Sequence, residues 1–280
     1  MIINNAADTQ ISKFHKFMIV GQAGSGKSKL ATTLPGRTFA WVFDPSAETA
    51  YAGCDWIDYS SYKLDLLDLT PYSLSKEANA RVQKIGVAQA PTAYTDFAKD
   101  FNEAWSTKLY DSYDNIILDS ATSFQDAAMD AVLWNNKRFG KVPQQDDYPA
   151  QMALFLRNMR SLTSLEKNIY VIFHDTLEQD GATKKMTYIP IITGKNRAKV
   201  PNLFNHLLRC SAKQERNNVT NKMEPHYLIQ TTPDSYCPGV RTAFEGLDTF
   251  HDVTIPQGQF KNARNFGLGT LMKGESNVRP

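Results

Sequence analysis

The stretch GQAGSGKS, Gly21 to Ser28, constrains what this chain can fold into more than any other. The apolar run KFMIV, Lys16 to Val20, precedes it and KLATTL follows. The pattern G-x-x-x-x-G-K-[ST] arises by chance in a chain of this length roughly once in a hundred sequences. A buried strand that enters a glycine-rich turn and then opens a helix aims successive backbone N–H groups, and the positive end of the helix dipole, at one point. Such a point suits a triphosphate. Gly21 and Gly26 permit backbone angles and a close approach that a Cβ would obstruct, and Gly24 adds slack between them. Lys27 is placed to reach the β and γ phosphates, and the Ser28 hydroxyl to ligate Mg2+. Gln22, Ala23, Ser25 and Lys29 complete the expected cradle.

At 280 residues the chain is long enough for one large domain or two small ones with a substantial core. An apolar content of 42% and a charged content of 21% are ordinary for a globular protein. A formal net charge of +2 excludes a polycation, so any nucleic-acid contact has to come from local patches. No run is long and apolar enough to span a bilayer, and MIINNAADTQISKF lacks the basic-then-apolar layout of a secretory signal. A cytoplasmic location without membrane attachment is expected. Cys54, Cys210 and Cys237 are far apart and never in C-x-x-C spacing, which suggests buried thiols and neither a disulfide framework nor a zinc site.

Along the chain, residues 1–13 are polar and expected to be flexible. The helix after the P-loop is short, because Leu34, Pro35 and Gly36 stop it. The run RTFAWVFD, Arg37 to Asp44, reads as a second buried strand, so the order strand, P-loop, helix, strand opens an α/β sheet. Between Tyr51 and about Thr92 the pattern weakens to short elements. Helices are expected over Thr92–Tyr110, Ala121–Trp134 and the stretch QMALFLRNMRSLTSL, with a loop from Asn135 to Pro149. Ile116–Leu118 form a buried strand ending in Asp119 and Ser120, and Ile169–Phe173 another ending in His174 and Asp175. Pro190 marks an edge strand or bulged hairpin. A helix over Asn202–Leu208 and a strand over His226–Thr232 complete a core spanning residues 14–250. From His251 to Pro280 glycine and proline recur without periodicity, which predicts a flexible basic tail, residues 251–280. Its Lys261, Arg264, Lys273 and Arg279 suit either a further contact with DNA or a partner, or an inert solvated terminus.

Hydrolysis needs a second acidic site, because Mg2+ takes oxygen ligands and the attacking water must be oriented. Asp119 ends an apolar strand far downstream of the P-loop, the placement of a Walker B aspartate. For the water-orienting carboxylate, Glu48 in FDPSAET is preferred and Asp44 is the alternative; either is also consistent with a surface carboxylate. His174 follows IYVIF, where a polar side chain at a strand's C-terminal end can sense the γ phosphate, although a lone His also suits a structural role. In TGKNRAKVP, Lys195, Arg197 and Lys199 are two apart and on extended backbone share one face. They suit a solvated edge strand, an action in trans on a neighbouring subunit's nucleotide, or a row of DNA phosphate contacts.

GQAGSGKS, FDPSAET, YDNIILDSAT, DDYPAQM before a long helix, VIFHD and PIITGKNRAKVPNLF occur here in the order found in a known group. Over roughly Phe14 to Gly246 the chain resembles phage-encoded RecA-like nucleotide-binding proteins, which include single-strand-annealing ATPases. The resemblance implies an α/β RecA-like P-loop NTPase core with a mostly parallel central sheet flanked by helices. It implies ATP and Mg2+ as cofactors, single-stranded DNA as ligand, a homo-oligomeric ring or filament with ATP between subunits, and a single-strand-binding protein as accessory partner. It further implies that Gly21, Gly26, Lys27 and Ser28 hold nucleotide, that Asp119 is the Walker B residue, and that His174 is the γ-phosphate sensor. DNA would meet the loops around Lys137–Gln145 and Glu178–Lys185, where Lys137, Arg138, Lys141, Lys184 and Lys185 supply cations and Phe139 a stacking ring. Glu48 departs from the group, whose glutamate usually lies immediately after the second strand. Two other classes fit a P-loop: a nucleotide-kinase type of phosphotransferase, disfavoured because no compact Arg cluster is present, and a non-hydrolysing ATP-dependent assembly module.

Overall fold

The computed structural model describes residues 13–64, 90–139, 141–217 and 221–276. The P-loop strand β1 (Lys16–Gly21) leads into a short helix α1 (Lys27–Ala31), followed by β2 (Thr38–Val42), α2 (Ala47–Tyr51) and β3 (Ile57–Ser61). Then come α3 (Ala93–Ser106), β4 (Asn115–Asp119), α4 (Ala121–Asn135), α5 (Asp147–Thr163) and β5 (Asn168–Gln179). After β6 (Met186–Pro190) and α6 (Asn196–Lys199) the chain makes β7 (His206–Arg216), β8 (Met223–Gln230), β9 (Phe250–Asp252) and α7 (Gly267–Ser276).

The strands form one sheet in the order β3-β2-β4-β5-β1-β7-β8-β9, with β6 paired to β5 off this path. Every pairing from β3 across to β7 is parallel, and β6, β8 and β9 join antiparallel. The expected α/β class with a mostly parallel sheet flanked by helices is therefore observed. Parallel strands are buried on both faces, which is why β1, β2 and β4 read as unbroken apolar runs. On one face Trp41, Phe43, Phe124 and Phe173 pack with Phe97 and Phe101 of α3 and Phe155 of α5. On the other Phe17, Ile19, Ile117 and Ile172 pack with Leu30 of α1, Tyr51 of α2 and Leu268 of α7. Each fully buried ring or branched chain contributes about 1.5–3 kcal/mol, so both faces are needed to hold the strand tips in register.

Four expectations are corrected. The helix expected over Asn202–Leu208 is a short 3-10 turn, Val200–Leu203, followed by β7, whose Leu207 and Leu208 pair alongside Met18 and Ile19 of β1. A short apolar run fits either period, and the open edge of β1 takes it as a strand. The strand β5 does not stop at His174: it runs on to Gln179 and pairs antiparallel with β6, Asp175 opposite Pro190. The basic row is not extended, because Lys195 to Lys199 enter the helical turn of α6, where side chains two apart point away from each other. Asn196 drives that turn, buried with its amide donating to the Met152 carbonyl (2.8 Å).

The segment after His251, expected as a flexible tail, instead holds β9, a 3-10 turn over Phe260–Asn265 and α7. Ala263 and Leu268 are fully buried, and the Leu268 N–H donates to Thr33 Oγ1 at the end of the P-loop helix (3.0 Å). Arg264 lies over the Trp56 ring (4.7 Å). Residues 1–12, most of the weakly patterned stretch after Tyr51 and the last four residues lie outside the described residues.

Candidate functional site

In the P-loop the Ser25 N–H donates to the Gln22 carbonyl (3.2 Å) and the Leu30 N–H to Gly26 (2.8 Å), so turn and helix share one hydrogen-bonded frame. Gly26 has φ 87°, the left-handed region, and a Cβ there would sit 2.6 Å from the Tyr227 ring. A Cβ on Gly21 would sit 2.6 Å from the Cys210 carbonyl oxygen, which fixes glycine where β7 crosses the loop. Lys27 is buried, and its Nζ donates to the carbonyls of Gly21 (2.8 Å) and Gln22 (2.7 Å). Burial pushes the Lys27 pKa down, against the nearby carboxylates Asp119, Asp175 and Asp44. The Tyr170 hydroxyl, from β5, donates to the Lys27 carbonyl (2.9 Å) and anchors the first turn of α1.

Strand register brings the acidic residues to this loop. Val42 is opposite Asp119, and the N–H groups of Phe43 (2.6 Å) and Asp44 (3.1 Å) both donate to the Asp119 carbonyl. Asp119 is 1% exposed, and its Oδ2 accepts a hydrogen bond from the Tyr51 hydroxyl (2.7 Å). Burial pushes its carboxyl up to about 6, against hydrogen bonds from Tyr51 and Ser28 and the charge of Lys27. Gly21 is opposite His174, which places the histidine across from the first P-loop residue.

His174 Nε2 lies 3.2 Å from Asp44 Oδ2. An ionised carboxylate only accepts, so this bond puts the proton on Nε2. The His174 hydrogen bond, with further donors from Ser46, holds the Asp44 carboxyl well below the usual range. Asp44 Oδ1 accepts from the Ser46 N–H (3.1 Å) and hydroxyl (2.8 Å), an Asx turn that starts α2 and turns Glu48 aside. The Glu48 carboxylate is instead paired with the Ser61 hydroxyl of β3. The structure thus assembles Lys27, Ser28, Asp119, His174 and Asp44, and leaves Glu48, the preferred water-orienting residue from the sequence, outside that group.

Beside them, on the other face of the sheet, Arg209 Nε bonds Asp175 Oδ2 (2.8 Å), both side chains nearly inaccessible, and the guanidinium lies over the Tyr188 ring (3.5 Å). Arg209 and Asp175 carry no motif that would reveal them in sequence; only the register of β7 and β5 against β1 brings them together. Tyr51 likewise has no sequence signal, since a tyrosine in a short helix is ordinarily core. Lys29 lies over the Phe260 ring (3.2 Å), so a P-loop lysine is held by the C-terminal segment. Of the row, Arg197 pairs with Glu178 (3.3 Å) at the surface, and Lys195 and Lys199 are exposed.

The donor set fits a nucleotide-bound Mg2+. Ser28 and Asp119 are hard oxygen donors, and Mg2+ takes few protein ligands when phosphates supply others. Among the described residues no group of three or more His, Cys, Asp or Glu could hold a metal ion. Ser25 Oγ is buried without a hydrogen-bond partner, against Gly21 inside the loop, a polar atom that a bound phosphate could satisfy.

Sheet order and site together define an α/β P-loop NTPase core, in which β5 lies between the P-loop strand and the strand of Asp119. The chain belongs to the AAA domain family, whose model matches residues 13–239. The Ras-like protein rasC of Dictyostelium discoideum is 41% identical over 58 residues, 21% of this chain. The chain spans only 31% of the length of that curated relative. The crystal structure of the flagellar accessory protein FlaH from Methanocaldococcus jannaschii aligns over 86% of this chain and 85% of its own, at 12% identity and a TM-score of 0.37. No helix among the described residues is long and apolar enough to cross a membrane.

Proposed function

We propose that this protein is a Mg2+-dependent ATPase that acts on single-stranded DNA as a homo-oligomer, promoting annealing in phage recombination. The observation that carries the hydrolytic part is the convergence of Lys27, Asp119 and the Asp44–His174 pair on the P-loop. Bound Mg2+ would be held by Ser28 and Asp119 and would supply charge for the β and γ phosphates. Lys27 exchanges the loop carbonyls for phosphate oxygens. Asp44, kept ionised by His174, is a weak base but a good acceptor, so it orients the attacking water and does not store its proton. His174 leads directly into the β5–β6 hairpin, and its backbone N–H is held by Thr122 Oγ1 of α4 (3.0 Å). A change at the γ phosphate is thereby offered to both loops expected to meet DNA.

The DNA part rests on the α4–α5 loop. Trp134 is 40% exposed and packs edge-on against Phe139 (5.8 Å), beside the exposed Lys137 and Lys141. Stacking rings among cations are the chemistry single strands require. Arg138 leaves that set, because it is tied to Asp146 (2.9 Å), Asp147 and Gln144 (2.7 Å) and closes the loop from within. Lys184 and Lys185 are exposed at the hairpin tip. The choice of annealing and of a phage setting comes from the resemblance alone, as does a single-strand-binding protein as partner.

ATP hydrolysis measured with and without single-stranded DNA tests this reading. Stimulation by DNA, and a loss of DNA affinity of about 1–3 kcal/mol in Trp134→Ala, is expected. Phosphorylation of an added nucleotide acceptor would establish the phosphotransferase alternative, and binding without turnover the assembly module.

A further inference from the structure

We propose that Tyr51 is a positioning residue for the cation site: its hydroxyl fixes the Asp119 carboxylate in the orientation that the nucleotide-bound metal requires. This rests on the Mg2+–ATP reading of the P-loop above. Tyr51 ends α2 with 3% exposure and belongs to the same buried cluster as Leu30, Ala47, Trp56 and Ile117. From there the hydroxyl reaches Asp119 Oδ2 at 2.7 Å.

The partner is informative. Another buried tyrosine at this site, Tyr170, satisfies its hydroxyl on a backbone carbonyl, which costs nothing beyond the bond. Tyr51 donates to a side chain that burial makes expensive to ionise, and it does so from outside the loop. The carboxylate is thus held from two sides, by Ser28 of the P-loop and Tyr51 of α2. Ser28 and the carboxylate would hold a bound cation, whereas the Tyr51 hydroxyl stays on Oδ2 from the side of the apolar core. One oxygen remains to face the site. The same short segment carries Asp44 at its start, whose Asx turn sets the direction of α2 and so aims Tyr51. Residues Asp44 to Tyr51 therefore deliver both a carboxylate at the site and the hydroxyl that orients Asp119.

The test uses Tyr51→Phe, which keeps the ring and removes the one donor. Binding of a fluorescent ATP analogue is measured in EDTA and then as a function of added Mn2+, without reliance on turnover. Metal-free binding within about twofold of wild type is expected, with a Mn2+ midpoint raised about 10-fold or more, the usual consequence of losing an outer-shell partner. In an Asp119→Asn background the further change on adding Tyr51→Phe should be under about twofold, because the two residues act as one unit. An unchanged Mn2+ midpoint in Tyr51→Phe overturns the proposal. So does a parallel loss of metal-free and metal-dependent binding together with a lowered melting temperature, which would make Tyr51 structural. If wild type shows no metal-dependent nucleotide binding, the reading of the site itself fails, and that outcome is visible in the wild-type titration alone.

Discussion

Asp119→Asn should stabilise the nucleotide-free protein in a pH-dependent way while removing hydrolysis. The carboxyl is pushed from 3.8 to about 6 by desolvation at 1% exposure. A carboxyl whose folded pKa is raised favours folding in its protonated form. Its contribution is fully present below the unfolded pKa and is lost as pH rises through the folded pKa. A rise of that size corresponds to about 3 kcal/mol of stability withheld above pH 7, of which about 2 kcal/mol develops between pH 4.5 and 7.5. Asparagine keeps an oxygen for the Tyr51 hydroxyl and cannot ionise, so it escapes that cost. Urea unfolding of wild type and Asp119→Asn at matched pH values cancels the titrating groups that do not interact with Asp119. A stability difference that grows with pH by roughly this amount is expected. A difference that stays flat from pH 4.5 to 7.5 would show that the carboxylate is not desolvated, and would remove the electrostatic argument for a cation there.

Gly26→Ala places a Cβ 2.6 Å from the Tyr227 ring at a φ of 87°. A cost of about 1–3 kcal/mol at the loop is expected, seen as lost nucleotide affinity by calorimetry with only a modest fall in melting temperature. Gly269→Ala puts a Cβ 2.1 Å from the Arg264 carbonyl oxygen and 2.6 Å from that of Thr33, so α7 has to lift from the P-loop helix. Hydrogen exchange should then quicken in α7 and α1 together and nucleotide affinity should fall; exchange confined to α7 would sever that link.

The parts legible in the sequence were those made by neighbouring residues. GQAGSGKS carries its own turn, glycines and helix start, and Asp119 follows an aliphatic run, Ile116 to Leu118, that reads as a buried strand. Choosing between Glu48 and Asp44 depended on an Asx turn that swings the chain within a few residues, and on β3 supplying Ser61 as a competing partner for Glu48. His174 reads in the sequence as the end of its strand, yet β5 runs on past it, because Thr176 to Gln179 take their partners from β6 and not from the parallel sheet. The sequence GLGTLMKGES has two early glycines and poor helix propensity, so α7 is held by its contacts with Thr33 and Leu30, which no local pattern reveals. The row Lys195, Arg197 and Lys199 was misplaced for a similar reason: the burial of Asn196 between them sets the backbone.

The most direct test of the account is single-turnover hydrolysis of radiolabelled ATP with Mg2+ by wild type, Asp44→Asn and Glu48→Gln, each first shown to bind nucleotide. Wild type and Glu48→Gln should release phosphate at comparable rates, and Asp44→Asn should bind but fall by about 100-fold or more, the scale of a positioned general base or water-orienting group. Loss of turnover in Glu48→Gln with Asp44→Asn intact, or no phosphate release by wild type, would contradict it.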